Sequence, residues 1–300
     1  MAGHRPADHA AFIAWGRSRP GTPRETGPPA APDLVAPSAG FIGREPDLAA
    51  LGALVQRPDP ALITLTGPGG VGKTRLAQEI LAAQAGTFAQ GAVFVPLAAL
   101  RDPQLIAATI AGALGVREAG DRPLAASLQE VLGPQHLLLV LDNFEHVLPA
   151  ASLLADLAAA APRVKILITS REVLRVPDEY IFRVAPLRVP ALRRAPDLER
   201  LVGYDAVRLF VDRARASQPG FALTPTNAES VAAICALLEG LPLAIELAAA
   251  RTRLLPPHGL LARLAGAYGY TPLQVLATTT AATTDRHQAL RTAIAWSYDL

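Results

Sequence analysis

The eight residues Gly67–Thr74 match the phosphate-binding loop pattern G-x-x-x-x-G-K-[ST] without a gap. The apolar run at residues 61–66 is typical of a buried strand, and residues 74–81 have the apolar spacing of a helix. In such a strand, loop and helix, backbone N–H groups and the positive end of the helix dipole point at a phosphate. A chance Gly-rich turn is the alternative, and the two flanking elements argue against it. The sequence therefore predicts a nucleotide-binding loop.

The residue types in the loop indicate its chemistry. Lys73 is expected to reach the β- and γ-phosphates, and the Thr74 hydroxyl is expected to hold Mg²⁺. Lys73 and Lys165 are the only lysines, so a compact ammonium occurs where phosphate binding favours one. The residues expected to contact the nucleotide here are Gly67, Pro68, Gly69, Gly70, Val71, Gly72, Lys73, Thr74 and Arg75.

Composition narrows the class of protein. With 51% hydrophobic residues the chain can bury a core, and a net charge of +2 gives no argument for a nucleic-acid surface. The single cysteine, Cys235, excludes an intramolecular disulfide and lies in apolar helical surroundings that favour a core residue over a nucleophile. We find no apolar stretch long enough to span a membrane and no signal-peptide pattern, so we expect a cytoplasmic protein.

Strand and helix signals alternate through the first two thirds of the chain. Residues 1–38 carry seven prolines and predict a disordered leader or linker. Strands are predicted at 61–66, 92–97, 136–141, 164–169 and 180–184, and helices at 45–55, 73–84, 103–114, 123–132 and 147–160. Apolar strands separated by helices predict an α/β fold, with a parallel sheet covered by helices on both faces.

After Pro190 the pattern becomes helical. Helices are predicted at 204–216, 227–238, 242–253, 257–266 and 286–298. We therefore expect a P-loop domain at 39–195 and a small all-helical domain at 196–284.

A second motif is the apolar run at 136–141 that ends in Asp142. Ligands of open parallel sheets lie beyond the carboxyl ends of the strands, so Asp142 is expected beside the phosphates, holding Mg²⁺ directly or through water. By itself this Asp fits equally well a residue that ends a strand and caps a turn. The phosphate loop upstream favours the Mg²⁺ contact.

Two further charged residues have open interpretations. Glu145 is placed to orient an attacking water, or to cap the helix that begins near Val147. Arg171, at the end of the strand predicted over 164–169, is placed to read the γ-phosphate, or to pair at the surface with Glu172.

Taken together, these motifs resemble the signal-transduction ATPases of the STAND class, of the NB-ARC type. In particular, they resemble the nucleotide-binding module of large LuxR- or SARP-type bacterial transcriptional regulators. The matching segments are residues 41–45, 67–74, 139–146, 168–172, 174–177, 240–248 and 290–300.

The resemblance implies ATP or ADP with Mg²⁺ as the cofactors. It implies that Ile42, Gly43 and Arg44 form the adenine side of the site, and it strengthens the γ-phosphate role of Arg171. Pro242 would bring the helical domain against the base or sugar, whereas its sequence context alone predicts only a turn that starts a helix.

The resemblance also implies a longer protein. Residues 285–300 match the first helix of a winged-helix domain, so we expect a fragment of a longer regulator. DNA would be contacted only through domains not present in this chain, and the expected partners are further copies or an intramolecular sensor domain.

The function implied is a signal-transduction switch that alternates between ATP and ADP. Asn143 stands where many relatives place a second acidic residue, so slow ATP hydrolysis is expected. The alternatives are an AAA-type ATPase with steady turnover, a small-molecule kinase, and an ADP-binding scaffold without hydrolysis.

Overall fold

The structure is a computed structural model that describes residues 41–116, 122–191 and 197–266. The leader predicted over 1–38 and the winged-helix segment predicted over 285–300 lie outside these residues. The predicted boundary between residues 195 and 196 also falls in a segment outside them, so the division into two domains stays a prediction.

The first part of the chain forms a five-stranded parallel sheet with the strand order β2-β3-β4-β1-β5. The strands are β1 (Leu62–Thr66), β2 (Ala92–Pro96), β3 (Leu138–Asp142), β4 (Lys165–Ser170) and β5 (Glu179–Arg183). β1, β3 and β4 are buried along their whole length, as expected for a parallel sheet covered on both faces. The predicted α/β class is confirmed, and each predicted strand is present within two residues of its expected ends.

Five helices accompany the sheet. They are α1 (Glu45–Gln56), α2 (Lys73–Gln84), α3 (Ile106–Leu114), α4 (Leu124–Leu132) and α5 (Ala151–Ala160). Two of them start later than predicted, because Pro103 and Pro149 lie in short 3₁₀ turns just ahead of α3 and α5.

Alternating residues of the strands divide the core into two clusters. On one face, Ile63 and Val140 pack with α1 and α2. On the other face, Leu139 and Ile168 pack with α3, α4 and α5. Side chains of successive strand residues point to opposite faces, so apolar runs in the strands supply both cores.

The remaining described chain is helical. It contains α6 (Leu198–Leu201), α7 (Asp205–Ser217), α8 (Ala228–Leu237), α9 (Pro242–Ala249) and α10 (Pro257–Leu264). The one-turn helix α6 was not predicted, and α9 continues as a 3₁₀ turn to Arg253, where a single helix was predicted. The core of this region is continuous with the α1 and α2 face of the sheet and includes Cys235, as expected.

None of the described helices is both long enough and apolar enough to cross a membrane.

Candidate nucleotide-binding site

A cavity of about 500 Å³ opens at the carboxyl ends of β1, β3 and β4. Parallel strands end at the same edge of the sheet, so the loops after these three strands converge there. Most of the predicted site residues line the cavity: Ile42, Arg44, Gly69, Gly70, Val71, Gly72, Lys73, Thr74, Arg75, Asp142, Glu145, Arg171 and Pro242. The predicted residues Gly43, Gly67 and Pro68 do not line it.

The phosphate loop connects β1 directly to α2, as its pattern predicts. Lys73 is the first residue of α2, so the helix begins at the cavity wall. The Lys73 ammonium donates to the carbonyl oxygens of Gly67 (2.8 Å) and Pro68 (3.1 Å). These two residues therefore position Lys73 although they do not line the cavity.

Burial lowers the pKa of Lys73 from its ordinary 10.5 to about 8. The nearby Glu145 and Asp142 carboxylates oppose this shift, and the Arg171 guanidinium adds to it. A phosphate anion beside the ammonium favours the charged form, so it would reverse the effect of burial on this pKa.

Asp142 ends β3 and is held by two hydroxyl groups. Its Oδ1 accepts hydrogen bonds from Thr74 Oγ1 (2.8 Å) and Thr169 Oγ1 (2.5 Å). Burial raises the pKa of the Asp142 carboxyl, while the bonds from Thr169 and Thr74 lower it. The carboxylate is thus poorly solvated, and a cation beside it would favour its ionised form.

Thr74 and Asp142 would hold Mg²⁺ through a hydroxyl and a carboxylate oxygen, the ligand type that this ion prefers. In the free protein, a hydrogen bond of 2.8 Å joins Thr74 Oγ1 to Asp142 Oδ1. The described residues contain no group of three or more His, Cys, Asp or Glu that could hold a metal, so phosphate and water would complete the coordination.

Glu145 and Arg171 form an ion pair in the same cavity. Arg171 Nε lies 3.1 Å from Glu145 Oε1, and the Glu145 side chain is only 10% exposed. The two specific contacts named as alternatives are not the ones observed, and the functional roles of both residues stay predictions. Arg171 pairs with Glu145 instead of Glu172, and α5 begins only at Ala151 with no side-chain cap.

Glu145 Oε2 is buried and has no hydrogen-bond partner among the described residues. A buried carboxylate oxygen without a donor is costly, and a water or ligand hydroxyl would satisfy it. Because Glu145 lines the cavity, this oxygen belongs to a group that can accept a hydrogen bond from a bound molecule.

Asn143 adopts a left-handed backbone conformation (φ 66°), which Asn tolerates better than most residues. Its backbone N–H donates to Thr169 Oγ1 at 3.0 Å. The same hydroxyl therefore connects the loop after β3 with Asp142 and fixes the direction in which the chain continues toward Glu145.

The segment before α1 braces the phosphate loop. Arg44 is only 4% exposed, and its Nη2 donates to the carbonyl oxygen of Val71 at 2.8 Å. Gly43 (φ +73°) lies against Asp205 of α7, where an added Cβ would approach the Asp205 Cβ to 2.4 Å. Arg44 thus contacts the phosphate loop and Gly43 the helical region, while the role of residues 42–44 in binding adenine stays a prediction.

The helical region supplies the opposite wall of the cavity. Pro242 is the first residue of α9, and the neighbouring Leu243 N–H donates to the Gly70 carbonyl oxygen at 3.2 Å. Arg213 of α7 and Glu246 of α9 also line the cavity and form an ion pair of 3.0 Å. Residues from α7 and α9 therefore face the phosphate loop across the cavity.

Several residues that line the cavity were not predicted from the sequence, among them Thr169, Arg213 and Glu246. The signal available for Thr169 was a polar residue near the end of an apolar strand. Arg213 and Glu246 gave no signal, since charged residues on amphipathic helices are ordinarily solvent-exposed.

Comparison with known proteins agrees with this geometry. Residues 57–170 match the family described as "AAA domain". The chain is 39% identical over 240 residues to a protein of Mycobacterium tuberculosis (strain H37Rv) named "Putative HTH-type transcriptional regulator", a match covering 80% of this chain and 25% of that protein. It is also 39% identical over 225 residues to an uncharacterized protein of the same strain, covering 75% of this chain and 53% of that protein. The chain thus spans between a quarter and about half of the length of these relatives.

Two solved structures are similar at low identity. Cdc6p from Pyrobaculum aerophilum is 17% identical with a TM-score of 0.48, covering 73% of this chain and 65% of that chain. A Signal Transduction ATPase with Numerous Domains (STAND) protein with a tetratricopeptide repeat sensor, from Pyrococcus horikoshii, is 18% identical with a TM-score of 0.45, covering 70% of this chain and 30% of that chain.

AAA and P-loop ATPases bind nucleotide, typically with Mg²⁺. The parallel sheet, the phosphate loop between β1 and α2, and the family match over residues 57–170 agree with one another. The chain therefore carries an AAA-type P-loop ATPase domain.

Proposed function

We propose that this chain is an ATP/ADP-dependent signal-transduction switch of the STAND, NB-ARC-like type that hydrolyses ATP slowly. The observation that carries the proposal is the cavity built from two parts of the chain. Lys73 lies on the phosphate-loop side, and Pro242 and Leu243 of α9 lie on the other. A nucleotide between them would contact both, so its identity can change how the helical region is held.

The Arg171–Glu145 pair supports a difference between the two nucleotides. A γ-phosphate carries negative charge that competes with Glu145 for the Arg171 guanidinium, while ADP lacks that group. ATP would therefore separate the pair and ADP would leave it intact. A ligand shifts a conformational equilibrium only by its differential affinity for the two states, and this contact would provide it.

Slow hydrolysis follows from the residues available to activate water. The residue after Asp142 is Asn143, which cannot act as a base. Glu145 is the nearest other carboxylate, and in the free protein it is held in an ion pair with Arg171. Mg²⁺ bound between Thr74, Asp142 and the phosphates would stabilise charge on the phosphoryl group.

The alternative of an AAA-type ATPase with steady turnover is favoured by the family match. Turnover above about one per second would support it, since typical enzymes work at roughly 1–10³ per second. Absence of both turnover and any ATP-dependent change would support an ADP-binding scaffold.

The wider role is part of the same proposal. We infer a nucleotide-binding domain at 39–195, a helical lid at 196–284 and a cytoplasmic regulator of transcription, because a 39% identical relative is named as such a regulator. Contact with DNA, self-association and signal sensing would belong to other parts of a longer protein.

Calorimetry with ADP and with a non-hydrolysable ATP analogue, each with Mg²⁺, tests the proposal. Lys73→Ala should weaken both affinities at least about a hundredfold, because it removes a charged contact to the phosphates. Arg171→Ala should weaken the ATP analogue about tenfold more than ADP. Glu145→Gln should stop hydrolysis and leave ADP affinity within about twofold.

Equal loss of ADP and ATP-analogue affinity in Arg171→Ala would contradict the γ-phosphate role. If Lys73→Ala left the affinities for ADP and for the ATP analogue unchanged, the assignment of the nucleotide site would be wrong. Arg101→Ala is the matched control, because this exposed arginine donates only to backbone carbonyl groups and lies outside the cavity.

A further inference from the structure

A second cavity, of about 470 Å³, opens at the amino ends of the strands. Lys165 is the first residue of β4, His136 precedes β3 by two residues, and Pro58 lies shortly before β1. The cavity therefore lies at the opposite edge of the sheet from the nucleotide site. Its lining contains the four basic residues Arg57, His136, Arg163 and Lys165, and no acidic residue.

The charges of this cavity are not balanced by carboxylates. Within the described residues, Arg57, Arg163 and Lys165 form no ion pair, although Asp59 acts on Lys165 from a greater distance. In the nucleotide cavity, by contrast, Arg171 pairs with a carboxylate. Concave surfaces of one charge sign concentrate counter-ions, so this cavity is a preferred position for an anion.

Lys165 is the most constrained of these cations. It is only 5% exposed, and its ammonium donates to the carbonyl oxygens of Pro58 and of Pro60, the latter at 2.7 Å. An ammonium has three N–H donors, so one remains after these two bonds. Burial lowers the pKa of Lys165, and the Asp59 carboxylate partly opposes the shift. An anion in the cavity would stabilise the charged form in the same way.

His136 and Arg163 add directed donors. The Nδ1 of His136 accepts a hydrogen bond from the Ala89 N–H (3.3 Å), so in the neutral ring the proton lies on Nε2. The ring packs against Phe88 at 4.9 Å between centroids. Arg163 donates through Nη2 to the Pro134 carbonyl, which leaves its other guanidinium N–H groups free to donate to a ligand.

We propose that this cavity binds a phosphate group carried by a small molecule, independently of the nucleotide site. Three cations and an imidazole N–H suit a group with two charges and several acceptor oxygens better than a single carboxylate. The cavity is concave and bounded by apolar side chains such as Phe88, and the chain has a net charge of only +2. Both features favour a small ligand over nucleic acid, which binds extended basic surfaces.

The two lysines of the chain allow a selective test. In the Lys73→Arg variant, Lys165 is the only lysine, so incorporation of ¹³Cε-lysine gives one reporter signal at the cavity. Pyrophosphate, added at constant ionic strength, should shift this signal saturably and raise the pKa of Lys165. Pyrophosphate bound at the phosphate loop would lie at the opposite end of the strands from the Lys165 reporter. The absence of a saturable Lys165 shift would therefore contradict this proposal and leave the nucleotide-site proposal intact.

Variants that keep the fold make the test decisive. Arg57 and Arg163 are both exposed, so the double change Arg57→Ala and Arg163→Ala should preserve folding. It should weaken the saturable shift at least about tenfold, because charged hydrogen bonds are lost. Arg101→Ala should leave the shift unchanged. A shift that is linear in concentration, or that survives the double change, would overturn the proposal.

Competing ligands decide the ligand class. Citrate that saturates the Lys165 signal as tightly as pyrophosphate would make the cavity a general carboxylate site and overturn the phosphate assignment. Duplex DNA that displaces pyrophosphate would assign the cavity to nucleic acid and overturn the small-molecule assignment. We expect pyrophosphate to saturate the Lys165 signal, citrate to shift it weakly or not at all, and duplex DNA not to displace pyrophosphate.

Discussion

Nucleotide binding should take up a proton at mildly alkaline pH, because burial holds the pKa of Lys73 at about 8 in the free protein. At pH 8 about half of the Lys73 side chains are then neutral, and at pH 9 about nine tenths. Phosphate oxygens beside the amine favour its charged form and raise this pKa toward its ordinary 10.5. Binding should therefore take up about 0.5 proton at pH 8 and about 0.9 at pH 9.

The same linkage sets the pH dependence of affinity and of stability. Affinity should fall about tenfold between pH 7 and pH 9, because the amine must be protonated on binding. In the free protein the folded pKa lies below the unfolded value of 10.5, so the unfolded chain binds more protons between them. The charged Lys73 thus costs about 3 kcal/mol of stability below pH 8, and the cost disappears as pH rises toward 10.5.

Calorimetry of ADP·Mg²⁺ in two buffers of different ionisation enthalpy measures the uptake directly. Lys73→Arg is the matched control, since an arginine stays charged throughout and should show no uptake between pH 7.5 and 9.5. Equal binding enthalpies in the two buffers at pH 8.5, for the unmodified chain, would refute the reasoning.

Substitutions at four further positions test the site and the fold that supports it. Thr169→Val should cost about 1–3 kcal/mol of unfolding free energy in urea, because the buried Asp142 carboxylate loses a donor, whereas Thr169→Ser should cost less. Asp142→Asn should remove the Mg²⁺ dependence of ADP affinity measured by calorimetry, and a persisting dependence would contradict its role as a ligand. Gly240→Ala should destabilise by at least about 2 kcal/mol, because Gly240 has φ +70° and an added Cβ would lie 2.1 Å from the Leu187 carbonyl oxygen. Gly112→Ala, in open space within α3, should instead stabilise by roughly 0.5–1 kcal/mol in the same urea experiment.

Much of the fold could be predicted from the sequence because the central strands of the sheet are parallel and buried. β1, β3 and β4 are short apolar runs buried along their whole length, a pattern typical of a parallel sheet covered on both faces. The start of β3 was predicted two residues too early. His136 N–H donates to the Gln90 side chain instead of joining the ladder, and the strand begins only at Leu138.

Site residues could be predicted from the sequence where one short motif contains the groups that bind the ligand. Lys73 and Thr74 lie in the phosphate loop, and Asp142 ends an apolar strand. The Arg171–Glu145 pair was not predictable, because it joins the loops after two neighbouring strands and depends on their positions in the sheet. No local pattern marks such a pair.

The contacts between the phosphate loop and the helical region could not be predicted from the sequence either. Leu243 bonds to Gly70 from a position more than 170 residues later in the chain. Gly43 touches Asp205, and neither residue has a local signal of the contact. Contacts of this kind depend on how α7 and α9 pack against the sheet, which helical periodicity does not determine.

The most direct test of the switch is a distance between the two walls of the cavity in each nucleotide state. Ala83 on α2 and Ala216 on α7 are exposed, and the only native cysteine, Cys235, is buried, so cysteines at these two positions can carry spin labels selectively. The distance distribution with ADP·Mg²⁺ should differ from that with a non-hydrolysable ATP analogue and Mg²⁺, and Lys73→Ala should remove the difference. Identical distributions with both nucleotides, each shown by calorimetry to be bound, would contradict the proposed switch.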